Sequence, residues 1–509
     1  MMFLAHLHAA CMRLTVVRPL LLLAAFSMPS SLPSQQAPTR SASVLTMPAM
    51  RDTSPAGVKL AAYLAAFNSG QRDSLSAFIA ANVAAPRGGP LPLDEMTSRH
   101  FARYAATHGY TVGKLLSSGE GSIAVAVRAR RTGYWYDMRM SVSTDTAHKV
   151  TSLGLQPIPA PADLLPRVRL SDAEIRVRAD SLVRTLIAMD QFSGAILVAR
   201  RGQPIYAHAS GLASRTWQIA NRLDTRFNLA SLSKMFTAVG VMQLVERGSL
   251  TLDDTLASLL PQFPHSSAWQ RVTVRQLLTH TAGLVNGGSG NDILSPARVR
   301  LRTISELLAS YPPDSLRFEP GSRFDYSNYG YLLLGAIIER VSGKDYQTFV
   351  RESVFRPAGM TSTDNEFLES EPSGIATGFE NTGSGQRRSN VFVLPARGLP
   401  FGMGYSTVHD LDRFATALRT HQLLTERSIE MMWAGNMAFR EPDSRYGLGF
   451  IATRYNGVRI VGHSGGWPGV TNRVDMYPDD GVTVVILNNV DSEPTPLAYK
   501  LREWLTQGH

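Results

Sequence analysis

The chain has 509 residues, a length beyond one ordinary globular core, and two domains are therefore expected. Its apolar share of 44% and charged share of 18% are those of a soluble globular protein and exclude a chain disordered throughout. The formal charge of +10 is mostly scattered arginine with no basic run or aromatic-basic cluster, so nucleic acid is not an indicated partner.

At the N-terminus Arg13 and Arg18 precede the short apolar run Leu20 to Phe26, and a Ser/Pro-rich stretch follows to Pro38. Basic residues before a run too short to span a bilayer predict an export signal and leader over residues 1–38, with Met12 as an alternative start. The mature protein is then expected in the periplasm or secreted from a bacterium, with no transmembrane span. Cys11, the single cysteine, falls in the segment to be removed, which excludes a disulfide and a cysteine nucleophile. The apolar run follows Cys11 instead of preceding it, so a lipid anchor there is not expected.

From Pro55 to about Gly109 apolar residues recur at helical spacing: Leu60, Leu64 and Phe67; Leu75, Phe78 and Ile79; Met96, Phe101 and Tyr104. From Tyr110 to Leu155 the period changes to two, with Ile123, Val125 and Val127, then Tyr136, Met138, Met140 and Val142. Helices followed by a meander predict a small α+β domain over residues 55–156. In order and spacing it resembles the cone-shaped nuclear-transport-factor-2-like or cystatin-like type, with docking or substrate presentation as its function. Trp135, Asp137 and His100 are candidates to line a pocket there, with core packing as the competing reading. Prolines 157, 159, 161 and 166 mark a stiff linker over residues 157–170.

The second domain, residues 171–509, opens with a helix from Ser171 to Met189 and a hairpin, Gly194 to Ala199 and Pro204 to Ala209, turning at Arg201-Gly202. Its middle is helical. Strands are expected near Arg445 to Thr453, Val458 to His463, Val474 to Tyr477 and Val482 to Asn488, with a last helix from Thr495. Strands at both ends around a helical middle predict one sheet closed by the two ends of the domain, which would bring residues near 231 and 463 together.

Three motifs carry the chemistry. In Ser231-Leu232-Ser233-Lys234, Ser231 stands where a helix should begin, continued by Met235, Val239 and Met242 and ended at Gly248. Lys234, three residues on, shares the face of Ser231, and a serine nucleophile needs such a partner within hydrogen-bond reach. The competing reading is a helix cap and a surface lysine. Tyr326-Ser327-Asn328 precedes a helix from Gly330 to Val341. A phenol beside a lysine can accept the serine proton, and Asn328 has a donor and an acceptor for a substrate amide. Standing alone, this motif would be a turn with an exposed tyrosine. His463-Ser464-Gly465-Gly466 ends an apolar strand, where glycines let backbones approach and the N–H of Gly466 can join that of Ser231 as an oxyanion hole. Gly462 to Gly466 also fits the Gly-x-Ser-x-Gly elbow with Ser464 as nucleophile. That elbow must open a helix, whereas Trp467-Pro468-Gly469 follows.

With these motifs in order, residues 171–505 resemble the class C β-lactamase and D-alanyl-D-alanine carboxypeptidase family of penicillin-recognising serine hydrolases. The stretches Leu277 to Leu284, Pro320-Gly321, Phe324 to Asn328, and Gly404 to Thr407 with Asp410-Leu411 match its connecting signatures. The resemblance implies an α/β fold, an antiparallel sheet flanked by helices plus an all-helical subdomain. It implies Ser231 as acylated nucleophile, Lys234 and Tyr326 as the proton-transfer pair, Asn328, His463, Ser464 and Gly465 in substrate binding, and Ser231 with Gly466 as oxyanion donors. It implies no metal and no cofactor. Histidine at 463, where class C β-lactamases carry lysine, resembles the D,D-peptidase, D-aminopeptidase and esterase branches. The expected substrate is a D-amino-acid-containing peptide, such as a cell-wall peptide, or a small ester. The alternatives are a β-lactamase proper and a penicillin-binding sensor that acylates without turnover.

Overall fold

In the computed structural model the described residues are 52–85, 91–261, 269–284, 300–310, 316–381, 386–435, 437–439, 441–492 and 494–509. The expected export signal, the leader and Cys11 lie outside them. Ser54 caps helix α1 (Pro55–Asn68), its hydroxyl accepting from Gly57 N–H at 3.1 Å, and proline at the first helical position fits because no N–H partner is needed there. Helices α2 (Arg72–Asn82) and α3 (Leu93–Thr107) follow. The antiparallel meander comes next, in the order β1 (Tyr110–Gly119), β2 (Ser122–Ala129), β3 (Trp135–Val142) and β4 (Val150–Ile158). One face of it packs Val125, Val127, Met138 and Met140 against Leu60, Tyr63, Leu64 and Phe67 of α1.

That alternation separates the proposed pocket residues. His100 lies on the helical side, its Nδ1 3.0 Å from the Tyr63 hydroxyl, and burial followed by the charge of Arg103 lowers its pKa to about 4. Trp135 and Asp137 alternate with Tyr136 and Met138 and so point to the opposite face, where Asp137 pairs with Arg139 at 2.7 Å. The three do not share a pocket. The strand β4 runs to Ile158, so the first residues expected in the linker are hydrogen-bonded in the sheet.

Ser171 and Glu174 form a reciprocal capping box at the start of α4 (Asp172–Ala188). An eight-stranded antiparallel sheet is then built from β5 (Gly194–Arg200), β6 (Gln203–Ser210), β7 (Met437–Phe439), β8 (Glu441–Tyr446), β9 (Ile451–Tyr455), β10 (Val458–Trp467), β11 (Val470–Tyr477) and β12 (Val482–Asn488). Its order is β7-β8-β9-β10-β11-β12-β5-β6, so the last strand in the sequence pairs with the first hairpin, Val484 facing Val198 and Ile486 facing Ile196. Successive residues of β12 face opposite layers. Val484 and Ile486 meet α4 and the closing helix, Thr495–Thr506, while Val485 and Leu487 meet the helical middle of the chain. The domain therefore has an antiparallel sheet flanked by helices, as expected.

Two expected boundaries change. The single strand expected at Arg445 to Thr453 is two strands, because Gly449 takes φ +80 and the chain turns between Tyr446 and Ile451. The histidine motif does not end its strand, since β10 continues to Trp467 and pairs with β11 from Val461 to Trp467. In that ladder Gly462 has no room for a side chain: a Cβ there would stand 1.9 Å from the Val474 carbonyl. Gly462→Ala is therefore expected to lower the urea unfolding midpoint by an amount equivalent to about 1–3 kcal/mol; an unchanged midpoint would contradict this account of the ladder.

Candidate active site

The chain approaches Ser231 through a strained turn. Ala230 takes φ +45, outside the usual range for a residue with a Cβ, and its N–H is held by Asn228 Oδ1 at 2.9 Å. Ser231 sits in the 3-10 turn Ala230–Leu232, and helix α5 (Ser233–Glu246) begins two residues later than expected at the nucleophile itself. This helix is buried on every side from Ser233 to Leu244, not along one stripe.

Lys234 is 0% exposed, which rules out the surface-lysine reading. Its Nζ is 3.2 Å from Ser231 Oγ, 2.8 Å from Asn328 Oδ1 and 2.7 Å from the Phe401 carbonyl. Burial pushes its pKa well below that of an ordinary lysine. The three contacts fit both protonation states. An ammonium donates to all three; a neutral amine donates to Asn328 and Phe401 and turns its lone pair to the Ser231 hydroxyl. The Tyr326 ring lies across the same ammonium, 4.7 Å from centroid to Nζ.

Ser327 caps helix α6 (Asn328–Ser342), so Asn328 is the first helical residue and Tyr326 stands on the loop before it. The Oδ1 of Asn328 accepts from Lys234 at 2.8 Å, so of the donor and acceptor expected to meet a substrate amide the acceptor is already engaged by the lysine. From the sheet, β10 runs directly over the nucleophile turn. A Cβ on Gly465 would lie 2.4 Å from the Leu229 carbonyl and 3.3 Å from Ser231 N, whereas one on Gly466 would meet nothing within 4 Å. Glycine at 465 thus permits the contact and Gly466 borders open space. Ser464 lies within a strand and opens no helix, which fits the rejection of the elbow reading. His463 lines the cleft, yet it is only 3% exposed.

The enclosed space, about 230 Å³, is bordered by Ser231, Tyr326, Asn328, His463, Ser464 and Gly466, with Phe401, Met403, Phe439 and Trp467 as apolar walls. A larger groove of about 810 Å³ runs between the N-terminal sheet and the flanking helices, bordered by Arg128, Trp135, Lys500 and Trp504. Its lysine, Lys500, is paired with Glu503 at 2.8 Å, whereas the smaller space holds Ser231 with Lys234 3.2 Å from its hydroxyl, so the smaller space is the candidate site.

Residues 179–507 match the family model described as Beta-lactamase. The chain belongs to the beta-lactamase family. Among its relatives, penicillin-binding protein 4 of Bacillus subtilis (strain 168) is 33% identical over 342 residues, 62% of this chain and 72% of that protein. The putative penicillin-binding protein PbpX of the same organism is 30% identical, over 58% of this chain and 70% of that one. A penicillin binding protein from Bacillus halodurans superposes with a TM-score of 0.57 at 30% identity, covering 62% of this chain and 98% of that one. A D-stereospecific amidohydrolase from Streptomyces sp. shares the fold, with a TM-score of 0.54 at 24% identity over 64% of this chain and 97% of its own. This beta-lactamase-family chain is thus a serine hydrolase by family, and no helix among its described residues is long and apolar enough to cross a membrane.

Sequence reasoning missed the Phe401 carbonyl, the apolar walls and Tyr446, whose hydroxyl stands 2.9 Å from His463 Nε2 behind the cleft. A backbone acceptor carries no residue-type signal. Tyr446 did carry one, since a tyrosine before Gly447-Leu448-Gly449 interrupts a strand pattern. Lys234→Met removes a buried amine with its desolvation cost but leaves Asn328 Oδ1 and the Phe401 carbonyl without that donor, opposing effects of about a few kcal/mol each. Its urea midpoint is expected to stay within about 1 kcal/mol of wild type, while the cavity in Lys234→Ala costs about 2–5 kcal/mol; equal losses in the two variants would contradict the buried-charge account.

Proposed function

We propose that the protein is an exported serine hydrolase that forms an acyl-enzyme on Ser231, acting on D-amino-acid-containing peptides or small esters in the periplasm or outside the cell. The observation that carries the reading is the Lys234 amine 3.2 Å from Ser231 Oγ with its two remaining contacts already committed to Asn328 and Phe401. In this mechanism the neutral amine takes the Ser231 proton as Oγ attacks the substrate carbonyl. The backbone N–H groups of Ser231 and Gly466 receive the oxyanion, while Asn328, Ser464 and Gly465 hold the acyl chain. Tyr326, against Lys234, passes the proton to the leaving group as the carbonyl bond to it breaks. Water then attacks the ester on Ser231, giving a proton to the same pair, and Ser231 Oγ recovers one as it leaves.

Histidine at 463, where class C β-lactamases carry lysine, favours this reading over a β-lactamase proper. Proteins of the same fold include a hydrolase with promiscuous acyltransferase activity and a D-amino acid amidase. The apolar walls suit a compact acyl group.

Intact-protein mass after incubation with a penicillin and with a p-nitrophenyl ester, for wild type and Ser231→Ala, tests the assignment. A Ser231-dependent adduct that turns over is expected, and turnover by Ser231→Ala would overturn the reading; an adduct that persists would mark a sensor instead. The pH profile gives a second test. Lys234 must be uncharged to accept the proton, so kcat/KM rises with pH through a pKa well below that of an ordinary lysine. An acidic limb at lysine's ordinary value of about 10.4 would remove Lys234 as the base.

A further inference from the structure

His280 belongs to the signature stretch Leu277 to Leu284 and takes no part in the steps above. It is 1% exposed and held at φ +57, a conformation that costs a histidine energy unless its surroundings fix it. Its Nδ1 accepts from the Ser327 N–H at 3.1 Å. In the neutral ring the proton then sits on Nε2, which lies 3.1 Å from the Tyr446 hydroxyl. That hydroxyl is 2.9 Å from His463 Nε2, and His463 Nδ1 is 2.5 Å from the Ser464 carbonyl.

The direction of this chain is set at both ends. A backbone N–H can only donate, so His280 Nδ1 accepts; a carbonyl oxygen can only accept, so His463 Nδ1 carries the proton. Between them His280 Nε2–H donates to Tyr446, and with His463 neutral the single Tyr446 proton goes to His463 Nε2. A charged His463 would bring a second donor against the Tyr446 oxygen and force the Tyr446 proton toward Tyr331, whose own hydroxyl donates to the Leu278 carbonyl at 3.1 Å. It would also add a cation to the core that holds Lys234 and packs His280 and Tyr326 beside it. The charged groups on the neighbouring strand, Arg473 and Asp475, lie on the opposite face of the sheet, where Arg502 closes on Asp475 at 3.0 Å.

We infer that His280 and Tyr446 are positioning residues of the acyl-transfer site: the chain from Ser327 N–H through His280, Tyr446 and His463 to the Ser464 carbonyl ties the loop of Tyr326 and Asn328 to the strand of Gly466 and holds His463 uncharged. The inference rests on the reading of Ser231 as nucleophile. His463 then neither binds a carboxylate as a cation nor moves a proton. It fixes the Ser464 peptide, two residues before the oxyanion donor, while His280 fixes the loop that carries the proton-transfer tyrosine.

The test is nitrogen-15 NMR of the histidine side chains in the full-length protein, read with the pH profile of ester hydrolysis. In wild type, His463 is expected to stay neutral with the proton on Nδ1 from pH 8 to pH 5, well below the ordinary histidine value of about 6.5. In Tyr446→Phe, Nε2 loses its donor, so His463 titrates in that range. There kcat is expected to fall roughly tenfold at pH 6 and recover toward pH 8, with KM within about twofold, a split that general loss of structure would not give. His280→Leu vacates a lone pair on the Tyr446 oxygen and is expected to produce the same titration, which keeps the test open if Tyr446→Phe folds poorly. Titration of His463 near its ordinary value in wild type, or an unchanged pH profile in both variants, would overturn the inference. Activity retained in Ser231→Ala would instead overturn the nucleophile assignment, and the tautomer measurement would stand apart from it.

Discussion

The constraint on which the site depends is a lysine amine sealed from water. Lys234 is completely buried and held by three acceptors from separate parts of the chain: its own helix turn, the start of α6 and the loop at Phe401. A charged amine in such a place is costly, and the protein lowers that cost in two ways. It supplies one acceptor for each N–H, and it lets the amine give up its proton, which makes the group a base beside a serine hydroxyl. Burial is thus the common cause of the local packing and of the chemistry proposed for it.

The scaffold keeps this arrangement from relaxing. The two sheet edges from opposite ends of the domain meet in register, with Val482 to Asn488 laid against Gly194 to Arg200. That closure fixes β10 over the Ser231 turn, and the approach is so close that only glycine fits at 465. The turn itself is bent through Ala230 at φ +45, a strained conformation that the Asn228 contact and the overlying strand hold in place. On the other side of the sheet, Asp475 between Arg473 and Arg502 is a second buried charge cluster. Burial opposes its ionisation, yet the two guanidinium groups hold its pKa below the usual carboxylate range. The ladder is therefore pinned from both faces.

Much of this was legible in the chain. Motif order gave the family, the switch from helical to alternating period placed the first sheet, and strands at both ends of the second domain predicted the closure that the pairing of β12 with β5 bears out. Illegible were the features that depend on what lies opposite. The strand expected from Arg445 to Thr453 reads as one apolar run, but Gly449 turns it because its backbone packs against Ala238 and the Lys234 carbonyl. His280 reads as one letter of a signature, and its part in a hydrogen-bond chain exists only when residues 166 positions apart are brought within reach.

The sequence by itself determined the reaction class expected at this site, because three motifs in order supply a serine with a lysine, a tyrosine with an asparagine, and a glycine-lined strand edge. It determined the layering of helices on an antiparallel sheet as well, since periodicity is a local property. Tertiary structure alone decided which acceptors meet Lys234, how far water is excluded from it, and which nitrogen of His463 carries the proton. Those depend on burial and on distances between segments far apart in the chain, and no local pattern encodes either.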